Sequence, residues 1–108
     1  MDKKLYNQKE VKKIARDFVR YLEKDHNLLI EKAYLFGSYA KKTPRKWSDI
    51  DVCIISKKFD KVNPLSYLWT RRRDIDIEMG IEPYGLSPTD FVAENPIAHE
   101  VKKYGVKV

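Results

Sequence analysis

The chain has 108 residues, room for one domain but not for a separate lid or acceptor-binding domain. Apolar residues make up 43% and charged residues 35%, which excludes low-complexity disorder, and no run approaches the ~18–20 apolar residues of a membrane span. Lys and Arg number 22 against 16 Asp and Glu, a net charge of +6 that favours anionic partners such as nucleotides or RNA, and the lone Cys53 excludes an internal disulfide or a four-cysteine zinc site. The N-terminal stretch MDKKLYNQKE carries no apolar leader, so the expectation is a cytoplasmic protein with no membrane attachment.

In chain order, Gln8 to about Lys24 reads as a helix. Val11, Ile14, Ala15, Phe18, Val19 and Leu22 recur at three and four residues, one apolar stripe, and Asn7 with Glu10 is spaced as a capping box. Asp25-His26-Asn27 breaks that pattern. Leu28 to Phe36 reads as a strand ending in Gly37-Ser38, with a short helical turn over Tyr39 to Lys42 stopped by Thr43-Pro44. Ile50 to Ile55 is a second strand, Ser56 to Asn63 a polar loop, and Asn63-Pro64 the cap and first residue of a helix reaching about Arg73. From Ile75 to Tyr84, Ile75, Ile77, Met79 and Ile81 alternate with Asp76, Glu78, Gly80 and Glu82, the period of a half-buried strand. Ser87 to Phe91 is a turn. Asn95-Pro96 repeats the cap-plus-proline start, and a last helix runs to about Tyr104, where Gly105 stops it. The implied fold class is α/β (α+β): one small mixed sheet with helices packed mainly on one face.

The chemistry concentrates in Gly37 to Asp51, GSYAKKTPRKWSDID. Gly37-Ser38 lies where a strand gives way to a turn. A glycine there lets backbone approach a phosphate, and the turn amides and the Ser38 hydroxyl offer donors to an anion. Ser48-Asp49-Ile50-Asp51 opens an apolar strand. Residues i and i+2 of a strand share a face, so Asp49 and Asp51 set two carboxylates about 6–7 Å apart along the chain. Two such carboxylates repel and need a cation; Mg²⁺, held by hard oxygen ligands and substrate phosphates, suits them. Asp76, Glu78 and Glu82 share one face of the period-two segment, so parity alone does not single out a third carboxylate. Lys41, Lys42, Arg45 and Lys46 place four positive charges beside the same stretch. Trp47 can stack on a base or pack under the loop, and Arg71-Arg72-Arg73 can touch nucleic acid or simply end a helix in solvent. Cys53 shares the parity of Asp51 and suits a small buried position.

Taken together, Gly37, Ser38, Ala40, Lys41, Ser48, Asp49 and Asp51 resemble, in kind and spacing, the signature of the minimal nucleotidyltransferases (MNT) of the DNA polymerase β-like nucleotidyltransferase superfamily. The resemblance continues through Ile81-Glu82-Pro83-Tyr84, the Ser87 to Phe91 turn and Asn95-Pro96. One departure is Lys42, where the family has a second glycine. The resemblance implies a single nucleotidyltransferase domain over residues 1–108 with a palm-like core. It implies two Mg²⁺ ions held by Asp49, Asp51 and Glu82, Glu82 being the third carboxylate as ligand or base. It implies an NTP, taken as ATP, bound by Gly37, Ser38, Lys41 and Ser48. The reaction is then attack of a protein or RNA hydroxyl on the α-phosphorus, with pyrophosphate leaving. It further implies a HEPN-domain protein as partner in a toxin–antitoxin pair, with RNA as another partner and a homodimer as a way to complete a small site. The competing expectation is a non-catalytic module that binds nucleotide, RNA or a partner through the basic surface.

Overall fold

The computed structural model describes residues 5–108; Met1 to Lys4, the start of the stretch read above as lacking a leader, lie outside the described residues. Helix α1 (Gln8–Asp25) opens on the expected capping box. The Asn7 Oδ1 accepts the Glu10 amide at 2.8 Å and the Glu10 Oε1 accepts the Asn7 amide at 3.0 Å, satisfying two donors that a helix start leaves unpaired. Its stripe of Val11, Ala15, Phe18, Val19 and Leu22 is buried. Strand β1 (Lys32–Phe36) pairs antiparallel with β2 (Ile50–Ile55), and β2 pairs parallel with β3 (Ile81–Leu86). The connection between β2 and β3 holds a 3-10 turn (Lys57–Asp60) and helices α2 (Pro64–Trp69) and α3 (Asp74–Met79). Helix α4 (Pro96–Tyr104) and a two-residue strand β4 (Val106–Lys107) complete the described chain, giving the sheet order β3-β2-β1-β4.

The fold is therefore α+β with one mixed sheet, as expected. The face carrying Ala33, Leu35, Ile50, Val52, Ile54 and Ile81 packs against α1 and α2. The opposite face, with Phe36, Cys53, Ile55 and Leu86, is covered over part of its area by Ala98 and Val101 of α4. No helix among the described residues is long and apolar enough to cross a membrane.

Four boundaries differ from the sequence reading, the first being β1, which begins at Lys32 and not at Leu28. Tyr39 to Lys42 is a hydrogen-bonded turn and not a helix, and the helix opened by Asn63-Pro64 stops at Trp69. The largest difference is Ile75 to Tyr84, read as one strand. Its first half is α3, closed by Gly80 in the left-handed conformation (φ 82°), and only Ile81 onward is strand. The alternation is inverted with respect to burial: Ile75 and Ile77 are exposed while Asp76 is buried. The cause is Arg73. Its backbone amide and Nε donate to the Asp76 Oδ2 at 2.8 and 2.9 Å, and its Nη2 donates to Oδ1 at 2.8 Å, tying the start of a helix too short to display a helical period. The same Nη2 reaches Asp17 of α1 at 2.9 Å. Asp76 thus has a structural role, and neither it nor Glu78 lies on a strand with Glu82.

Arg71, Arg72 and Arg73 follow the end of α2 and are half-buried. Their guanidinium carbons lie 3.7, 4.0 and 4.3 Å from the ring centres of Tyr67, Trp69 and Tyr21. Cation–π stacking holds these charges against the protein's own aromatics. Gly105 does end α4, but with extended geometry (φ −61°). Its hydrogen atom is needed because a side chain there would run into the Val101 carbonyl.

Candidate active site

β1 delivers the chain to Gly37, which turns it with φ 74°, a region in which side chains other than glycine are strained. The turn is closed by the Lys41 amide on the Gly37 carbonyl (3.1 Å) and the Thr43 amide on the Ser38 carbonyl (3.0 Å). It is anchored from below by Tyr39, which is fully buried. The Tyr39 hydroxyl accepts the Tyr6 amide at 3.2 Å, and its carbonyl accepts the Gln8 Nε2 at 2.7 Å, so α1 and the turn hold each other. Lys42, in place of the family's second glycine, has φ 61°: the backbone keeps the left-handed conformation a glycine would take, on a residue that pays for it.

The carboxylates are set by the strands. Register pairs Phe36 with Asp51 across β1–β2, and Asp51 with Glu82 across β2–β3, so Asp51 and Glu82 are direct neighbours on one face. Asp49 is exposed just before β2. In the next row Cys53 pairs with Tyr84. The Tyr84 hydroxyl lies 3.5 Å from the Glu82 Oε1, and its ring meets Phe36 edge-on at 5.3 Å. The Tyr84 hydroxyl is pushed above its ordinary value by burial first, then by the negative charges of Asp51, Glu82 and Asp49. Burial alone pushes the Cys53 thiol up to about 12, and Cys53 is the buried core residue its parity suggested.

The Gly37 turn and Asp51 meet directly. A side-chain carbon built on Gly37 would overlap the Asp51 Oδ2 and lie 3.0 Å from its carboxyl carbon. The Gly37 turn and the strand carboxylate are thus in direct contact, although fourteen positions separate them in sequence.

The donor set is carboxylate oxygen, which suits a hard divalent cation. Among the described residues no three His, Cys, Asp or Glu side chains gather as a closed metal cluster. An open site of one or two carboxylates, finished by water and substrate phosphates, is the usual arrangement for Mg²⁺, and Asp51 with Glu82 fits it.

Two of the nucleotide-binding candidates are already engaged. The Ser48 Oγ accepts the Arg45 amide at 2.8 Å and the Ser48 amide donates to the Arg45 carbonyl at 2.9 Å, shaping the loop just ahead of Asp49. The Lys41 Nζ donates to the Glu100 Oε1 at 3.1 Å and lies 5.1 Å from the centre of the Tyr104 ring. Trp47 does not pack under its loop: it is 51% exposed, with φ 76° and Lys46 near its ring. Sequence reading passed over Tyr84 as a site residue, although it lies two residues from Glu82 on the same strand face. It also passed over Glu100, which only the docking of α4 brings to Lys41.

Comparison with known proteins bears on the family and the fold. The family model for the nucleotidyltransferase domain matches residues 8–107. Among solved structures, a Sulfolobus solfataricus protein assigned as a nucleotidyltransferase superposes with a TM-score of 0.65 at 21% identity, covering 93% of this chain and 80% of that one. No curated protein matches. At that identity the superposition speaks for the fold, while the family match spans nearly the whole chain. This chain belongs to the nucleotidyltransferase domain family, as a minimal member of the polymerase β-like superfamily.

Proposed function

We propose that the protein transfers a nucleoside monophosphate, AMP from ATP, to a hydroxyl of a protein or RNA acceptor. The observation that carries this reading is the placement of Asp51 beside Glu82 on one sheet face, against the Gly37 turn. In it Gly37 and Ser38 face the β- and γ-phosphates, where backbone and a hydroxyl can donate to anionic oxygen. Ser48 holds the loop that presents Asp49, and Lys41 adds a positive charge at the turn. Asp49, Asp51 and Glu82 would hold Mg²⁺, as two ions in the full arrangement; when bound, Mg²⁺ neutralises the triphosphate and acidifies the acceptor hydroxyl. Glu82, half-buried, would serve as metal ligand or as the base that takes the acceptor proton. Positioning and charge neutralisation supply most of the catalysis. The residues assigned here hold nucleotide and metal, and recognition of the acceptor needs a further surface. A HEPN-domain partner, modified as the toxin of a toxin–antitoxin pair, fits that need, and a second copy of the chain could complete the same site.

The test is incubation with Mg²⁺ and ATP labelled at the α-phosphate, with a HEPN-domain partner or bulk RNA as acceptor. Wild type should leave label on one acceptor, and Asp51→Asn, with an unchanged fold, should leave none. Equal labelling by Asp51→Asn would sink the assignment. The engagement of Ser48 by Arg45 and of Lys41 by Glu100 favours one second reading, a non-catalytic module that binds nucleotide, RNA or a partner. Metal-independent, salt-sensitive RNA binding that survives both Asp49→Asn and Asp51→Asn would select it.

A further inference from the structure

We infer that Tyr84 is a positioning residue of this site, its hydroxyl holding the Glu82 carboxylate beside Asp51 so that the two take a divalent cation as a pair. This rests on the proposed role of Glu82. Three observations carry it. Tyr84 follows Glu82 by two residues on β3, so both side chains project from one sheet face. Its hydroxyl donates toward the Glu82 Oε1 at 3.5 Å, the long end of hydrogen-bond range. Its ring is fixed edge-on against Phe36 at 5.3 Å, and Phe36 is the residue registered opposite Asp51. The phenol therefore stands in the row next to the one that bears the carboxylates, braced against Phe36 of that row. A protonated phenol donates to a carboxylate. A donor on one oxygen of Glu82 limits the carboxylate's rotation and leaves its other oxygen directed to the cation, the usual task of groups behind a metal ligand.

The experiment titrates the full-length chain with Mn²⁺ alone and follows the free ion by electron paramagnetic resonance. Wild type, Tyr84→Phe, Glu82→Gln and the double variant are compared, with thermal melts alongside. Phenylalanine keeps the ring against Phe36, so Tyr84→Phe should melt with wild type while binding Mn²⁺ about tenfold more weakly, at the low end of what loss of a supporting group costs. In the Glu82→Gln background the same substitution should change nothing further, because no carboxylate remains to be held. Equal weakening in both backgrounds would mark a general structural role and overturn the inference. So would wild-type affinity in Tyr84→Phe while Glu82→Gln binds weakly, and there the role of Glu82 would stand. Wild-type affinity in Glu82→Gln would remove the role of Glu82 and this inference with it; no binding by wild type would overturn this inference alone, because substrate phosphates complete a site of this kind.

Discussion

The Asp51 carboxylate occupies the space that a side chain on Gly37 would need. Gly37 is thus constrained twice, by its φ of 74° and by its neighbour. Gly37→Ala should cost about 1–2 kcal/mol through the backbone and also displace Asp51, so transfer activity should fall further than stability does. Lys42, with φ 61° and an exposed side chain, should behave oppositely. Lys42→Gly should stabilise by about 0.5–1 kcal/mol, the relief of strain less the added freedom of the unfolded chain. Urea denaturation of the two variants checks both signs.

Glu100 competes for Lys41. If Lys41 assists the triphosphate, Glu100→Gln frees it. An ion pair whose side chains are 38% and 32% exposed is worth at most about 1 kcal/mol, so KM for ATP should fall by up to about fivefold with kcat nearly unchanged. A rise in KM would show that Glu100 holds Lys41 in its working position.

Arg73 ties the start of α3 through the buried Asp76 and reaches α1 through Asp17. Its guanidinium is held above its ordinary value, chiefly by the hydrogen bond to Asp76. Arg73→Met leaves a buried carboxylate without its counter-ion and should cost about 2–4 kcal/mol, less than a fully buried pair because Arg73 is itself about one-third exposed. The Asp17 contact, on an exposed partner, adds little. No effect on the chemistry is expected: an Arg73→Met protein that is still folded should keep its kcat, measured well below its melting temperature.

Cys53 should be inert in the folded protein. A thiol pushed up to about 12 is thiolate in only about one molecule in ten thousand at pH 8, and it is buried as well. A thiol reagent at pH 8 should label it only as the chain unfolds. Its labelling rate then reports the opening of the sheet between the Asp51–Glu82 row and α4, and fast labelling of native protein would contradict the packing described.

Where the sequence was legible, the signal was local. Asn7 with Glu10, Asn63 with Pro64 and Asn95 with Pro96 each announce a helix start through neighbouring residues, and all three are found. Gly37, Ser38, Asp49 and Asp51 stand out as two local clusters, one after the first strand and one at the start of the second, and the antiparallel pairing of those strands brings Gly37 against Asp51. Period two failed at Ile75 to Met79 because a six-residue helix ruled by its cap carries no period of its own; the deciding contact is the side chain of Arg73. Glu82 could not be separated from Asp76 and Glu78 by parity, since what separates them is the parallel register with Asp51. β4 offers two residues, too few for a pattern, and Glu100 reaches Lys41 only through the docking of α4.

The outer edge of β3 has a consequence for assembly. In a parallel pair, alternate residues turn their backbone groups away from the neighbour, and here the outward set includes Ile81 and Pro83. Pro83 has no amide to offer; its carbonyl accepts the Trp69 Nε1 at 2.9 Å, and the Ile81 carbonyl accepts the Arg72 Nη1 at 3.4 Å. A proline and two side-chain caps close an edge that would otherwise template strand addition. The molecule is thereby protected from β-aggregation along the strand that bears Glu82, and whatever docks beside that strand must be recognised through side chains and not by extending the sheet.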